Sequence, residues 1–575
     1  MADVTYPQTA VRKRLKVVFA LTVLIMFLLI SRLAWIQIVR AAALSEQAWE
    51  QWNHTMTVRS ARGSIYDRHN RLLAGVTTVD TVAAVPPQVE NPQVTAAELS
   101  AVLGMDADRI YELITMADRH TVYIMRKVDP EVSQAVRELN LPGITFIDEE
   151  QRYYPGGNLA SQLLGFVGMD QGWSGLEFFY EDYLRGSEGR AHFLVDARQR
   201  QVPYSFSRSV TPPSGMDLRL TIDETIQHIV ETELARTMLT IKPRQVMALA
   251  VDPRTGAVLA VASKPDFNPL FFDRYDPTLW NLAPFTTSYE PGSTFKMIIA
   301  AAAVEEGLFS EDEHFFCNGY TIVNDTRINC WTVQRGGHGY VSFRQALDGS
   351  CNPAFIELGI RLGEDRLFRY KEAFGFGMTT GIDYPGESAG KIFEAQRMGP
   401  LELATTSFGQ GITVTPVQQV MAIASMVNGG YLLKPYLVQE MRNAEDEVIY
   451  YRDPEVVRQV ISSETGQTIA EMMESIIIRG TGTSAAVEGF RVAGKTGTAQ
   501  IKGQDGNYLE DYFIYSLVGF APAENPGIIL FVAMDGEARG TGWGSQTTGP
   551  LFRRIMEGIL NYKQIAPSKA SLSTP

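Results

Sequence analysis

The chain has little histidine, little cysteine and no excess of positive charge. Its 7 histidines in 575 residues form no identifiable Ser-His-Asp triad with any serine, which argues against a hydrolase of that type. The 51 lysines and arginines are outnumbered by 65 aspartates and glutamates, so the net charge is −14. This acidic balance argues against nucleic acid as a partner. A chain of this length without long low-complexity tracts predicts two or three folded domains.

A long apolar segment lies near the N-terminus, directly after a basic cluster at residues 12–16. Residues 17–39 carry a single charge, Arg32, and are about long enough to cross a bilayer. A cleaved signal peptide is the alternative, with residues 41–43 as its cleavage site, but the stretch is long for a signal core. We expect an uncleaved transmembrane anchor over 17–39 and a cytoplasmic tail over 1–16, because basic residues favour the cytoplasmic side.

The rest of the chain divides at a turn around Pro212-Pro213-Ser214-Gly215. Residues 40–215 alternate short helices and strands without a nucleophile–base constellation, which predicts a non-catalytic α+β domain. Residues 216–562 begin and end with apolar strands, so both ends would build one sheet with the intervening helices packed on it, an α/β sandwich. A tail over 563–575 is expected to be disordered. The predicted elements of the second domain are the strand 218–223, the helix 224–238, the hairpin 246–262, the strands 492–500, 513–520 and 528–534, and the helix 551–560.

Residues 290–296 place a hydroxyl and an amine three positions apart. Pro291-Gly292 breaks the preceding chain, and the alanine-rich apolar run 297–304 predicts a buried helix that begins there. Residues three apart share a helix face, so Ser293 and Lys296 are expected side by side. A serine needs a base to become a nucleophile, and a lysine desolvated by burial can be neutral enough to serve. The simpler alternative is a helix N-terminus with a surface lysine.

Two further short motifs follow in order: Ser350-Cys351-Asn352 before Pro353, and Lys495-Thr496-Gly497 in a predicted strand. Taken singly, the first can be a helix cap and the second a strand that ends in a turn. Together with Ser293-x-x-Lys296 they form an ordered set that is typical of penicillin-binding proteins and class A β-lactamases. The middle residue of the second motif is cysteine, where the usual residue is aspartate.

With these motifs, the chain resembles a class B penicillin-binding protein, a monofunctional peptidoglycan D,D-transpeptidase of the division or sporulation type. The resemblance implies that 40–215 is the dimerisation (pedestal) domain and 216–562 the transpeptidase domain, with a central antiparallel sheet flanked by helices. It departs at the turn His69-Asn70, where the family usually has Asn-Gly, and in the lack of C-terminal accessory repeats. The chain leaves no room for the glycosyltransferase domain of a class A enzyme. Other segments that carry the resemblance are 62–68, 152–155, 175–177, 289–293 and 407–411.

The motif residues predict an acyl transfer. Ser293 is expected to be the acylated nucleophile and Lys296 its base, provided that burial and the nearby cation of Lys495 depress the pKa of Lys296. Ser350 is expected to relay a proton between Lys296 and the leaving amine. Asn352 is expected to orient Lys296 and to hold the substrate amide.

The strand that carries the third motif is expected to bind substrate. The hydroxyls of Thr496 and Thr498 suit the terminal carboxylate of a D-Ala-D-Ala stem, and Gly497 leaves the strand open for pairing with substrate backbone. The backbone N–H groups of Ser293 and Thr498 are the expected oxyanion hole. Glu290 is expected to be structural rather than an acid. This chemistry requires no metal and no cofactor.

All three cysteines fall in the predicted extracytoplasmic part, where disulfides can form. Cys317 and Cys330 flank a predicted hairpin, whereas Cys351 lies inside the second motif. Three interpretations stay open. The thiols are unpaired, Cys351 pairs reversibly with one of the other two and closes the site, or the cysteines bind zinc with His314 or His338, although the spacing is irregular for a zinc motif.

We expect a transpeptidase that crosslinks D-Ala-D-Ala stem peptides through a Ser293 acyl-enzyme and is inhibited by β-lactams. One alternative is a β-lactamase or D,D-carboxypeptidase, which passes the acyl group to water, but nothing here resembles the deacylating glutamate of class A β-lactamases. Another is a membrane-bound β-lactam sensor or a non-enzymatic scaffold. The complete motif set argues against a scaffold.

The resemblance also implies partners and a location. The partners are peptidoglycan stem peptides, β-lactam antibiotics, a polytopic glycan polymerase of the SEDS family and divisome-type membrane proteins. Arg32 either reaches the outer membrane interface or faces a partner helix. The location is the plasma membrane of a bacterium, with a single span, a cytoplasmic N-terminus and an extracytoplasmic catalytic domain.

Overall fold

The computed structural model describes residues 8–116, 121–194, 213–309, 313–503, 507–537 and 544–568. They fall in two compact units. The smaller unit comprises the chain up to Ser60 and the segment Gly186–Pro213, and the larger comprises Ala61–Arg185 and the chain from Ser214 onward. The predicted tails therefore lie in part outside the described residues.

The smaller unit is built around a long N-terminal helix. The helix Gln8–Ala34 continues through the π-helical turn Trp35–Val39 and is followed by the helix Ala41–Trp52. The strand Asn53–Arg59 comes next and pairs antiparallel with Glu188–Leu194.

The apolar part of this helix matches the predicted anchor. Residues 11–39 are long and apolar enough to cross a membrane. Every one of them is exposed, including large side chains such as Phe19 and Phe27. Apolar surface of this extent is stable when a bilayer covers it, which supports a membrane-anchored chain.

The first sheet of the larger unit combines strands from both predicted domains. The strand Asp217–Leu220 pairs parallel with Ile65–Tyr66 and antiparallel with Val438–Arg442. The sheet therefore crosses the boundary that we predicted between residues 215 and 216, and residues 61–185 pack with the following segment as one unit. Its strand order is Val448–Tyr451, Val438–Arg442, Asp217–Leu220, Ile65–Tyr66, Leu72–Ala84 and Val122–Val128, with Ile144–Tyr153 also paired to Leu72–Ala84.

Three of the segments that carry the resemblance meet in a buried ion cluster. The carboxylate of Glu177 is fully buried and accepts hydrogen bonds from the Arg152 Nε at 2.6 Å and from the Arg62 Nε at 2.7 Å. Arg152 also donates to the backbone oxygen of Gly63 at 2.7 Å. A side chain does not fit at Gly63, because a Cβ would lie 1.9 Å from the backbone oxygen of Met216. The cluster ties together three distant parts of the chain.

The second sheet of the larger unit has five antiparallel strands, and both of its faces are buried. Alternate residues of Val246–Val251 enter two different hydrophobic clusters, as the two-residue period of a strand requires. Burial on both sides explains why its strands are almost continuously apolar. In order, the strands are Ala493–Lys502, Tyr508–Ala521, Ile528–Glu537, Val246–Val251 and Val258–Lys264.

Helices cover both faces of this sheet. Glu224–Thr240 and Gly544–Tyr562 contribute to the hydrophobic cluster on one face. Lys296–Glu305, Pro416–Val427 and Ser463–Arg479 contribute to the cluster on the other. This arrangement confirms the predicted α/β sandwich with a central antiparallel sheet flanked by helices.

Two strand pairs lie between the first and second motifs. His314–Cys317 pairs with Gly339–Ser342, and Tyr320–Val323 pairs with Thr326–Asn329. The second pair is a tight hairpin with positive φ at both turn residues, as a two-residue type I′ turn requires. The hairpin predicted between Cys317 and Cys330 is therefore confirmed.

The other described elements surround these sheets. The helices are Pro92–Leu103, Ala107–Ile114, Pro130–Glu138, Ser161–Leu164, Gly175–Phe179, Glu181–Leu184, Ala283–Thr286, Phe343–Asp348, Asn352–Ala373 and Pro400–Thr406. A further strand pair is Tyr431–Leu433 with Val456–Gln459.

Residues 563–568, which we assigned to a disordered tail, are held in place. The backbone N–H of Ile565 donates to the Leu560 oxygen at 3.1 Å, and that of Ser568 donates to the Gly489 oxygen at 2.9 Å. The Ser568 hydroxyl accepts from the Arg491 backbone N–H at 3.1 Å. The start that we predicted for the disordered tail, residue 563, therefore lies too early in the chain.

Candidate active site

The first motif lies where the short 3-10 turn Gly292–Phe295 opens into the helix Lys296–Glu305. Glycine is required at position 292, because its φ is 54° and a Cβ would lie 2.6 Å from the backbone oxygen of Thr498. Ser293 is half-buried and lines a cavity, whereas Lys296 is fully buried. The buried helix is confirmed, and the surface-lysine alternative is wrong.

The amine of Lys296 donates hydrogen bonds to the second motif. Its Nζ lies 2.7 Å from the Ser350 backbone oxygen, 3.1 Å from the Ser350 Oγ and 2.7 Å from the Asn352 Oδ1. Burial lowers the pKa of Lys296 to about 8, although the three nearby cysteines partly oppose this shift. An amine with this pKa gains and loses a proton readily near neutral pH, as a general base must.

The second motif is held in an unusual backbone conformation. Ser350 has a φ of 53°, which is uncommon for a residue with a side chain. Asn352 begins the helix Asn352–Ala373, and its Nδ2 donates to the Asn329 backbone oxygen at 3.1 Å. The N-cap position is Cys351, which makes no side-chain cap bond. The motif therefore does lie at a helix start, as the helix-cap alternative expected, but Cys351 makes no side-chain cap bond and the Ser350 hydroxyl accepts from Lys296.

Lys495 is fully buried in the edge strand Ala493–Lys502, where its Nζ donates to the Thr496 backbone oxygen at 2.9 Å. Burial, and then the charge of Lys296, place the pKa of Lys495 well below its usual value. We predicted that Lys495 would help to depress the pKa of Lys296. In the structure burial is the largest cause of the lowered pKa of Lys296, and the charge of Lys296 helps to lower the pKa of Lys495. The repulsion between the two amines is mutual, so protonation of one disfavours protonation of the other.

The edge strand alternates between the cavity and the protein interior. Thr496, Thr498 and Gln500 line the cavity. At Gly497 a Cβ would lie 2.6 Å from the Ser516 Oγ and 2.9 Å from the backbone oxygen of Pro291. Close packing behind the strand therefore requires glycine at this position, a reason that the sequence analysis did not give.

A cavity of about 610 Å³ joins the three motifs, since Ser293, Ser350, Asn352, Thr496 and Thr498 all line it. Several lining residues escaped the sequence analysis. The Gly480-Thr481-Gly482-Thr483 segment is the one local pattern that could have pointed to some of them. The missed residues are Trp331, Thr332, Asp348, Gly349, Gln410, Arg479, Gly480, Thr481, Thr483, Gln500 and Phe513.

Glu290 is buried beside the first motif, and its carboxylate accepts from the Tyr508 hydroxyl at 3.0 and 3.1 Å. These bonds tie the first motif to the strand Tyr508–Ala521. They support the structural role that we predicted for Glu290.

Cys317, Cys330, Cys351 and His338 converge next to the second motif. Their sulfur atoms and a ring nitrogen of His338 all lie within 4.8 Å of one another. The three cysteines are buried and form no disulfide. A hydrogen bond between Cys330 and Cys351 lowers the pKa of Cys330 and raises that of Cys351, and the bond with Cys330 raises the pKa of His338. The structure thus joins four residues whose spacing in the sequence is irregular.

Two known families match the chain. The family described as penicillin binding protein transpeptidase domain matches residues 246–557. The family described as penicillin-binding protein dimerisation domain matches residues 57–220. The first match alone spans more than half of the chain.

Curated relatives match along almost the whole chain. It is 39% identical to stage V sporulation protein D of Bacillus subtilis (strain 168), over 97% of this chain and 87% of that protein. It is 30% identical to the probable peptidoglycan D,D-transpeptidase PenA of Neisseria meningitidis (serogroup B), over 95% of this chain and 93% of that protein. It is 29% identical to the peptidoglycan D,D-transpeptidase FtsI of Escherichia coli (strain K12), over 94% of this chain and 90% of that protein.

Solved structures share the fold. The crystal structure of penicillin binding protein 2X from Streptococcus thermophilus has a TM-score of 0.72 at 24% identity and covers 88% of this chain and 80% of that chain. The crystal structure of a peptidoglycan synthetase from Bifidobacterium adolescentis has a TM-score of 0.72 at 24% identity. The match covers 91% of this chain and 98% of that chain.

Proposed function

This chain belongs to the class B penicillin-binding proteins, and from that premise we propose that it crosslinks peptidoglycan through an acyl-enzyme on Ser293. It is a serine D-Ala-D-Ala transpeptidase of cell-wall synthesis, of the division or sporulation type, and it binds β-lactams. One observation carries the assignment of the site. The buried amine of Lys296 is hydrogen-bonded to Ser350 and Asn352, which line the same cavity as Ser293.

Acylation breaks the amide bond of D-Ala-D-Ala. The Ser293 Oγ attacks the carbonyl carbon of the penultimate D-Ala, and the hydroxyl proton passes to the neutral amine of Lys296. The C–N bond then breaks, and the terminal D-Ala leaves as an amine after it takes a proton from Lys296. Ser350 relays that proton, since its Oγ lies 3.1 Å from the Lys296 Nζ. The product is an ester between the donor peptide and Ser293.

Lys495 favours the neutral form of Lys296 once substrate is bound. The two buried amines compete for a proton, because protonation of one disfavours protonation of the other. A substrate carboxylate at Thr496 and Thr498 places a negative charge close to Lys495 and favours its charged form. Substrate binding therefore shifts Lys296 toward the form that can activate Ser293.

The edge strand Ala493–Lys502 positions the donor peptide. It lies at one end of the five-stranded sheet, so a stem peptide can add to it as a further strand. The backbone N–H groups of Ser293 and Thr498 stabilise the developing oxyanion, each by roughly 3 kcal/mol. A β-lactam presents the same amide carbonyl near a carboxylate, but its leaving group stays attached through the ring, so the acyl-enzyme persists.

A second cavity offers the acceptor amine a route to the ester. Its volume is about 450 Å³, and it shares Ser293, Asn352 and Gln410 with the first cavity while extending past Asn329 and Phe408. Attack by the acceptor amine forms the crosslink and restores the Ser293 hydroxyl. Attack by water would be the carboxypeptidase reaction, which the relatives' names do not favour.

We also propose how the chain sits in the membrane and which membrane proteins it contacts. The apolar helix anchors the chain with its N-terminus in the cytoplasm, because the basic cluster at residues 12–16 precedes the span. A polytopic glycan polymerase of the SEDS family and divisome-type membrane proteins are the proposed partners. Arg32 is the proposed contact, since an arginine within an apolar span is stabilised by groups on a partner helix.

A photocrosslinker at Leu33 should capture a polytopic polymerase in cells, and Arg32→Leu should reduce that capture.

Labelling with a fluorescent penicillin tests the catalytic assignment. The full-length wild type should be labelled, mass spectrometry should place the label on Ser293, and Ser293→Ala should abolish it. Ser388→Ala is the matched control, since Ser388 is also half-buried but lines neither cavity. Slow release of the label distinguishes a transpeptidase from a β-lactamase. An unlabelled wild type, or a labelled Ser293→Ala variant, would disprove the assignment.

A further inference from the structure

The cluster of Cys317, Cys330, His338 and Cys351 contains every cysteine of the chain. The three cysteines are at most 1% exposed, and the imidazole of His338 is half-buried beside them. Four side chains of this kind, drawn from separate segments and placed within 4.8 Å of one another, form the donor set of a metal site. None of the four takes part in the acyl transfer to Ser293.

We propose that these four residues bind one zinc ion in a closed tetrahedral Cys3His site. A zinc–sulfur bond of about 2.3 Å in a tetrahedron separates neighbouring sulfur atoms by roughly 3.8 Å. The Cys330 Sγ already lies 3.6 Å from the His338 Nδ1, and the other pairs lie within 4.8 Å. The site therefore needs only a small contraction to reach bonding distances.

The ligand chemistry favours zinc over other abundant cations. Three sulfur donors and one imidazole suit zinc and are poor ligands for magnesium or calcium, which prefer oxygen. Zinc binds cysteine as the thiolate and histidine as the neutral imidazole, so binding releases protons from these groups. Four protein ligands leave no open position for water, so the metal is structural and takes no part in the acyl transfer.

The zinc would link the second motif to the two strand pairs that precede it, because its ligands come from both. Cys317 ends the strand His314–Cys317, Cys330 follows the tight hairpin and His338 precedes the strand Gly339–Ser342. Cys351 lies between Ser350 and Asn352, the two residues that contact the Lys296 amine. The metal would thus fix the position of the second motif through Cys351, which is part of that motif.

Neighbouring contacts support this positioning role. The Trp331 Nε1 donates to the Gly349 backbone oxygen at 2.8 Å, and the Asn352 Nδ2 donates to the Asn329 backbone oxygen at 3.1 Å. Both bonds join the segment around Cys330 to the segment around Cys351. Ser350 keeps a φ of 53° between these attachments, which is a strained conformation that its surroundings must maintain. A zinc ion bonded to Cys351 and Cys330 would supply that constraint.

Metal analysis of the full-length protein, purified in detergent without chelator, tests the proposal. Elemental mass spectrometry should find about one zinc per chain, as a closed site of four ligands requires. Replacement of zinc by cobalt should produce the visible absorption of tetrahedral cobalt with thiolate ligands. Cys330→Ser and His338→Ala should lose most of the metal, whereas the control His314→Ala, which alters a histidine outside the cluster, should retain it.

The wild-type measurements decide the matter even if a variant does not fold. A strong zinc chelator should lower the melting temperature of the wild type. The proposal is overturned if the wild type contains no stoichiometric metal, if the chelator leaves its melting temperature unchanged, or if non-reducing mass spectrometry finds the three cysteines in a disulfide. Penicillin labelling is a separate readout. Labelling without zinc would overturn this inference alone, and zinc without labelling would overturn the catalytic assignment alone.

Discussion

The Lys296 Nζ lies 2.7 Å from the Asn352 Oδ1, and this hydrogen bond joins the first catalytic motif to the second. The same Asn352 side chain donates to the Asn329 backbone oxygen at 3.1 Å, so its amide is held on both sides. The position of the base is therefore fixed by a residue that is distant from it in the sequence.

The first prediction concerns the pH dependence of acylation. The pKa of Lys296 is lowered to about 8 by burial, and the neutral amine is the active form. The neutral fraction grows as the pH rises, so the rate constant for penicillin acylation should increase through about pH 8 and then level off.

Lys371 provides a discriminating control, because burial also lowers its pKa to about 8 and its amine donates to the Phe393 backbone oxygen outside the cavity. The acylation midpoint should stay near pH 8 in Lys371→Met. A pH-independent rate, or a midpoint that disappears in Lys371→Met, would contradict the role of Lys296.

The second prediction concerns Asn352. Replacing it with alanine removes one hydrogen-bond partner of Lys296 and the bond to Asn329. We expect penicillin acylation to slow by about 100-fold, because a mispositioned base loses much of its catalytic contribution. Stopped-flow labelling measures this change, and Asn443→Ala, in a surface turn, should react at the wild-type rate. A loss of less than threefold in Asn352→Ala would contradict the positioning role.

The third prediction compares two glycines in the central sheet. A Cβ at position 497 would lie 2.6 Å from the Ser516 Oγ and 2.9 Å from the Pro291 oxygen, whereas a Cβ at position 536 meets nothing within 4 Å. Gly497→Ala should therefore lower the free energy of unfolding by about 1–3 kcal/mol through overpacking. Gly536→Ala should leave it nearly unchanged. Denaturant titration tests this, and equal stabilities for the two variants would show that the packing argument fails.

The fourth prediction concerns the buried ion cluster. Glu177→Gln removes the charge that both Arg152 and Arg62 contact. The loss should reduce the free energy of unfolding by about 3 kcal/mol, because the buried guanidinium of Arg152 loses a charged partner, whereas Arg62 keeps its pair with Glu181. The control is Glu112→Gln, whose pair with Arg109 is exposed and should contribute less than about 1 kcal/mol. Similar effects of the two substitutions on the urea midpoint would refute this account.

Local patterns predicted much of the fold. The continuously apolar segments that became Val246–Val251 and Ile528–Glu537 could be recognised because a strand buried on both faces needs apolar residues at every position. The start of the helix Lys296–Glu305 could be placed because Pro291-Gly292 precedes an alanine-rich run. The tail was assigned too early, because the bonds of Ser568 to Gly489 and Arg491 are long-range and leave no local pattern.

The sequence by itself determined the catalytic residue types, since Ser293, Lys296, Ser350, Asn352 and the Lys495-Thr496-Gly497 strand occur as an ordered set that the chemistry of acyl transfer requires. Tertiary structure alone decided the pKa values, the close packing and the mutual distances of these and other groups. The low pKa of Lys296 depends on complete burial, and the need for glycine at position 497 depends on Ser516 behind it. The meeting of His338 with three cysteines depends on how strand pairs dock against a helix start. A spacing along the chain reports which residues share an element, whereas a distance between elements is set by their packing.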